Sequence, residues 1–258
     1  MSEVGVLDKV MAILQSFTNG SARLQPAQVA AKLGIAPPTA YRLMKSMAEH
    51  GLLEHDAQGY RLGVVLLHLG SRVADGLDLN HLARPHLEWL RDQTSENAEL
   101  HLLHGCNRVP IEVMASRQNL RPMGQVGVPF PLHGGASAKV LLAWLEPQER
   151  QSLVMASHER DSSARPFDFT GWERQLARTR KQGWAESDGE RESGVSSIAA
   201  PIRDRVGAVV AAMVLSGPTT RLTERSVRTA AVQATVESAA WVSRAVGNVD
   251  VPASRRLP

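Results

Sequence analysis

Apolar positions recur at helical spacing through the first fifty residues and then give way to shorter runs. Val6, Val10, Ile13, Leu14 and Phe17 mark one face of a helix over 6–17, ended by Asn19-Gly20. Val29, Ala30 and Leu33 mark a second, short helix; Pro26 suits its first position, Leu24 can staple against Val29, and Gly34 stops it. A third helix begins at the Pro37-Pro38 pair and sets Ala40, Leu43, Met44 and Met47 at i, i+3, i+4 and i+7. Its opposite face shows Thr39, Tyr41, Arg42 and Lys45, with no acid before Glu49. After Gly51 come Leu52, Leu53 and Tyr60, Leu62 around the turn signal from Asp56 to Gly59, which reads as a β-hairpin.

Three helices followed by a hairpin is the order of a winged helix-turn-helix. A short helix offering two cations, a hydroxyl and a phenol suits a major groove, where cations meet phosphates and polar tips meet base edges. Pro38, Thr39, Tyr41, Arg42 and Lys45 are therefore the candidate DNA contacts, and Arg61 on the hairpin can meet a backbone phosphate. A merely solvated helical hairpin would share the periodicity, and an exposed arginine is usually only solvated. The succession of elements is what favours DNA.

An amphipathic helix over 64–79, with Leu66, Leu69 and Leu77 on its apolar side, joins this region to the rest. Such a stripe is a natural dimer contact, and a dimer lets one recognition helix per subunit read two half-sites. The alternative is that Leu66 and Leu69 pack on their own hairpin. Beyond it the pattern becomes mixed. A helix over 82–93 precedes strands over 98–103 and 109–116, and the stretch GQVGVPFPLHGG leads into a helix over 136–145. Another helix follows Pro147, a polar loop covers 161–167, and Thr170 with Glu173 reads as the capping box of a helix ending at Gln182-Gly183. Strands over 184–187, 196–203 and 207–216 and a long helix over 224–246 complete the pattern. The expectation is an α+β chain: a winged helix-turn-helix over 1–63, a linker helix over 64–80, a mixed domain over 81–248 and a disordered tail over 249–258.

A length of 258 residues is comfortable for two domains. The 29 basic and 26 acidic residues leave a formal charge of +3, too small for indiscriminate binding to nucleic acid, so DNA affinity must come from a local patch. Within 1–63 the bases Lys9, Arg23, Lys32, Arg42, Lys45 and Arg61 face the acids Glu3, Asp8, Glu49, Glu54 and Asp56, so basicity is placed rather than spread. Cys106 is the only cysteine, which excludes an intrachain disulfide and a multi-cysteine zinc site and fits a reducing compartment. The start MSEVGVLDKV is not a basic-then-apolar leader, and the apolar run over 206–215 falls short of the roughly 20 residues that cross a bilayer. A cytoplasmic protein without a membrane partner is expected.

Three stretches carry a family likeness: VLDKVMAIL with the helical pair and TAYRLMKSM; PLHGGASAKVLLAWL; and GWAESDGERESGVSSIAAPIRDRVGAVVAAMVLSGP. Together, over 6–247, the chain resembles the isocitrate-lyase-regulator (IclR) family of bacterial transcription factors. That resemblance implies a winged-helix DNA-binding domain, a linker helix and a C-terminal effector-binding domain like the small-molecule-sensing GAF domains. It also implies dimers, often paired into tetramers, on palindromic sites. Ala36-Pro37-Pro38 departs from the more usual proline, polar residue and serine, so the recognition helix lacks a side-chain acceptor at its N-cap. Ser197, Ser187 and Val214 stand where relatives often carry cysteine, aspartate and serine, and these changes weigh against a small oxo-acid ligand.

Taken by themselves, Gly134-Gly135-Ala136 open a helix whose free amides would suit a carboxylate, and the hydroxyls of Ser187, Ser197 and Ser216 can orient the rest of a small acid. Equally, two glycines can simply turn the chain and serines can satisfy nearby backbone. The resemblance favours the pocket, with Gly135, Ala136, Ser187, Ser197, Val214 and Ser216 as effector-binding residues and Val214 pointing to an aromatic or larger acid. His133 either lines that pocket or bonds its own loop. His101 and His104, three apart on a strand, point to opposite faces, so no metal is expected, and no cofactor. Ser137, His133 and Glu190 supply the residue types of a hydrolytic triad, but no nucleophile elbow surrounds Ser137 and no oxyanion arrangement is evident, so no catalytic residue is expected. The expected partners are double-stranded operator DNA, a small organic acid, and copies of the chain in a homodimer or dimer of dimers. Alternatives are a constitutive DNA-binding oligomer and an enzyme built on the C-terminal domain.

Overall fold

Helical periodicity becomes helix wherever the apolar stripe finds a partner, and in the first unit it does so around one small core. The computed structural model describes residues 5–17, 22–75, 78–122, 124–161 and 166–248, and its contacts divide the chain into Met1–Gly76 and Leu77–Pro258. The helix stop at Asn19-Gly20, residues 162–165 of the polar loop, Leu77 and the tail over 249–258 lie outside the described residues. In the first unit α1 (Val6–Ser16), α2 (Pro26–Leu33) and α3 (Pro37–Glu49) bury Ile13, Val29, Ala30, Ala40, Met44 and Met47 against Leu53 and Tyr60. Gly34 closes α2 in the left-handed region at φ 64°, its amide donating to the Ala30 carbonyl. Ala36 caps α3 with no side-chain hydrogen bond.

The hairpin of β1 (Leu53–Asp56) and β2 (Gly59–Leu62) pairs Glu54 with Arg61 and His55 with Tyr60. Leu24 joins it, exchanging two 3.0 Å backbone hydrogen bonds with Tyr60. Val6, expected on the inward stripe, is 66% exposed, because the first turn of α1 finds nothing among the described residues of this unit to pack on. Where a single helix is expected over 64–79, the described residues give α4 (Val64–Asp75) and α5 (Asp78–Thr94), and Gly76 and Leu77 between them lie outside the described residues.

The second unit is a six-stranded antiparallel sheet in the order β5 (Phe130–Pro131), β4 (Asn107–Met114), β3 (Asn97–His104), β8 (Val209–Pro218), β7 (Val195–Arg203), β6 (Ala185–Asp188). Alternation along the strands sorts the residues onto two faces. Ala98, Leu100, Ile198, Ala200, Ile202, Met213 and Leu215 pack with α5 and α10 (Arg225–Ala245). Ala199, Ala212 and Val214 face the other way, onto α6 (Ala136–Leu142). A third cluster joins α6 to α7 (Pro147–Arg160) and α8 (Phe169–Gln182) through Leu142, Val154, Trp172 and Leu176.

The expected Thr170/Glu173 capping box does not form. Asp168 caps α8 by accepting from the Gly171 amide at 2.9 Å, because Glu173 is held by Arg150 at 2.7 and 2.9 Å. Two short elements, β5 and α9 (Thr219–Leu222), were not foreseen.

Candidate functional site

In the first unit the expected DNA face is the exposed side of α3. Ala40, Met44 and Met47 are at most 3% exposed, whereas Pro38, Tyr41, Arg42 and Lys45 are exposed and Thr39 is half-buried. Among the described residues neither Arg42 nor Lys45 has an ion-pair partner. Arg61 differs: its guanidinium donates to Glu54 Oε2 at 2.9 and 2.6 Å across the hairpin, so any phosphate must compete with a carboxylate.

In the second unit strand register gathers the serines. Ser187 lies opposite Ser197, and Ser197 opposite Ser216, in one row across β6, β7 and β8. Gly135, Ser187, Ser197, Val214 and Ser216 line one cavity of about 40 Å³. Ala136 does not line it; its amide donates to Ser197 Oγ at 3.4 Å. Glu99, His101, Arg108 and Arg191 line the same cavity and were not foreseen as site residues.

A directed chain of hydrogen bonds ties three of these together. Arg108, 5% exposed, donates from Nη1 to Ser137 Oγ at 2.9 Å, from Nε to the Pro131 carbonyl at 3.1 Å and from Nη2 to the Gly134 carbonyl at 3.3 Å. Ser137 Oγ lies 3.0 Å from His101 Nδ1, and His101 Nε2 lies 2.8 Å from Glu99 Oε2. Ser216 Oγ donates to Glu99 Oε1 at 2.6 Å. Burial raises the pKa of Glu99, but the hydrogen bonds from His101 and Ser216 and the charge of Arg108 outweigh it, so the group stays below the ordinary carboxylate value. Burial pushes His101 down more than Glu99 pulls it up. Burial, aided by the charge of Arg191, also lowers Arg108 to about 10, which leaves it a cation at neutral pH. An ionised carboxylate only accepts, so His101 carries its proton on Nε2 and takes the Ser137 hydroxyl on Nδ1.

The amides at the start of α6 are not free, contrary to expectation. Gly135 donates to Glu190 Oε2 at 2.9 Å, and Lys139 Nζ holds the other oxygen of the same carboxylate. Glycine is required at 135 because φ is +95° and a Cβ there would lie 2.5 Å from Arg108 Nη2.

Ser137, His133 and Glu190 are likewise not assembled: Ser137 bonds His101, while His133 Nε2 lies 3.4 Å from Asp161 Oδ2 and its ring lines a separate cavity of about 530 Å³. Ser137, His101 and Glu99 do follow the order of a serine, histidine and acid triad. Ser137, however, is 1% exposed, is held by Arg108 and does not line the cavity, so no substrate carbonyl reaches its oxygen. No group of three His, Cys, Asp or Glu residues able to hold a metal occurs among the described residues.

The model of the IclR helix-turn-helix domain matches residues 6–57, and that of the bacterial transcriptional regulator IclR C-terminal region matches residues 71–244. The glycerol operon regulatory protein of Streptomyces griseus is 31% identical over 247 residues, which is 93% of this chain and 96% of its own. The crystal structure of the Thermotoga maritima IclR is similar with a TM-score of 0.76 at 25% identity, covering 93% of this chain and 98% of that one. An IclR homolog from Microbacterium hydrocarbonoxydans, complexed with 4-hydroxybenzoate, shares the fold with a TM-score of 0.81 at 24% identity, covering 94% and 99%.

Proposed function

Given that this chain belongs to the IclR family of bacterial transcriptional regulators, we propose that α3 enters the major groove of operator DNA and that a small organic acid in the serine-lined cavity controls its hold there. The chain is an effector-controlled DNA-binding regulator. In our reading Arg42 and Lys45 meet phosphates, Thr39 and Tyr41 reach base edges, Pro38 starts the contact and Arg61 joins from the hairpin. One observation carries this: the outward face of α3 presents unpaired cations directly above its own buried methionines.

Apolar surface in the same unit supports a homodimer or dimer of dimers. Val6, Leu7 and Met11 on α1 are 66%, 76% and 50% exposed, and Val64, Leu67 and Leu69 on α4 are 66%, 73% and 51% exposed. A second copy is the natural cover for such a surface. Among the described residues no helix is long and apolar enough to cross a membrane, and a DNA partner supports the reading of a cytoplasmic protein. The acid acts through different affinities for the DNA-competent and incompetent arrangements. An enzyme on the C-terminal domain is disfavoured by the enclosure of Ser137 and by regulators as relatives.

The test is a gel shift with the duplex upstream of the protein's own gene. Arg42→Ala is expected to weaken binding by about 1–3 kcal/mol and, for a phosphate contact, to lower the salt slope by about 1. A wild-type protein that shifts no duplex even in dilute buffer would overturn the reading.

A further inference from the structure

We propose that the effector is a small acid carrying its own hydrogen-bond donor, a hydroxyl or an ammonium group, with Glu99 selecting the donor and Arg108 and Arg191 facing the carboxylate. The inference rests on the cavity being the effector site and goes further by assigning what that site accepts. Its lining carries both signs of charge within about 40 Å³. At one side the guanidinium groups of Arg108 and Arg191 lie 5.2 and 4.3 Å from the centre of the Phe130 ring. Arg108 is buried, and its three hydrogen bonds all go to neutral oxygens: the Ser137 hydroxyl and the carbonyls of Pro131 and Gly134. A guanidinium has five N–H donors, so two remain after those bonds. Among the described residues no carboxylate forms an ion pair with Arg108, and a buried cation without a direct counterion favours an anion beside it. Among the described residues Arg191 forms an ion pair only with Glu192, at 3.2 Å on the exposed rim, a contact weak enough to exchange.

Glu99 faces the same space with the opposite demand. It is 4% exposed and accepts one hydrogen bond on each oxygen, from His101 and from Ser216, leaving a lone pair on each. His101 has a single proton and has committed it to this carboxylate, so it cannot cancel the charge. A ligand group that reaches Glu99 must therefore donate. A carbonyl oxygen or a second carboxylate would meet a desolvated negative charge with nothing to offer it. The Ser187 and Ser197 hydroxyls turn either way and impose no preference. The cavity is also far below the roughly 300–1,000 Å³ of drug-sized sites, so in this conformation only a few heavy atoms fit.

Calorimetric titration of the full-length protein with propionate, pyruvate, lactate and alanine separates the possibilities. Lactate or alanine should bind at least tenfold more tightly than propionate and pyruvate. Arg191→Gln, at the rim, should weaken every acid that binds without changing their order. Glu99→Gln, whose amide can donate to a ketone, should bring pyruvate level with or ahead of lactate. The wild-type ranking alone is decisive should that variant not fold. Equal or tighter binding of the acids that lack a donor would overturn the inference and leave the effector site standing. Binding by none of the panel, with the operator still shifted, would remove the effector reading of the cavity and this inference with it.

Discussion

The two units dispose of their charges in opposite ways. Around α3 the core is apolar and the cations stand outside it, whereas in the sheet unit Glu99, His101 and Arg108 lie inside, between 1% and 5% exposed. The contrast follows from the ligands each would meet. DNA is a large, wet polyanion, so its reader needs cations presented at a surface, where they cost little to keep hydrated. A small acid offers few contacts, so discriminating it requires charges already stripped of water and fixed by neighbours, at a standing cost to stability.

Removing a charge from the interior should therefore hurt most. Arg108→Met leaves Glu99 ionised and buried without its distant counterion, and leaves the Pro131 and Gly134 carbonyls unmatched. The expected loss is about 3–5 kcal/mol, against about 0.5 kcal/mol or less for Arg42→Ala on the surface. The chain reports on the two units separately, since all five tryptophans, Trp89 to Trp241, lie in the second unit and both tyrosines, Tyr41 and Tyr60, in the first. Denaturant unfolding followed by tryptophan emission measures the effect. An Arg108→Met protein as stable as wild type would show that the buried chain is incidental.

Acid should sharpen the same difference. His86, His101 and His133, all in the second unit, are lowered from the ordinary value of 6.5, in each case chiefly by burial. Once unfolded, these imidazoles bind protons that the folded unit refuses, so stability falls as pH drops below about 6.5 and keeps falling until the lowered values are passed. Glu99 adds a further loss when pH falls below its ordinary value of 4.5, because it is held ionised in the fold. The midpoint of the tryptophan-detected thermal transition should therefore decline from pH 7 to pH 5. A flat or rising midpoint would mean that these imidazoles are not held neutral.

This contrast also decides what could be read from sequence. The exposed face of α3, proposed to meet DNA, was legible because all of its information lies in thirteen residues of one helix, where the same period that buries Ala40 and Met44 exposes Tyr41 and Arg42. The serine row was partly legible, since polar residues interrupting apolar strands at Ser187, Ser197 and Ser216 stand out. The buried chain was not. Glu99 and Ser216 are 117 positions apart and Arg108 and Ser137 are 29 apart, and no local pattern links them. A glutamate and a histidine two apart in a strand of leucines were the available signal, since that spacing places both on one face. The free amides expected before α6 failed for a related reason: Glu190, 55 positions from Gly135, had already taken one of them.

The smallest expected effect tests the surface half of the comparison. Glu54 and Arg61 face each other across the hairpin with side chains 40% and 51% exposed, so water screens their attraction and replacing either should leave stability nearly unchanged. The hydrogen bond from Arg61 nonetheless holds the Glu54 carboxyl below its ordinary value, so at neutral pH Glu54 is a full anion beside the cation proposed to meet phosphate. Glu54→Gln releases Arg61 and removes a charge that repels DNA. If Arg61 reaches the backbone, operator affinity should rise severalfold and the salt slope should steepen, because one more cation then displaces counterions. If Arg61 serves only the hairpin, the slope will stay as it was, and the DNA-reading surface will be confined to α3.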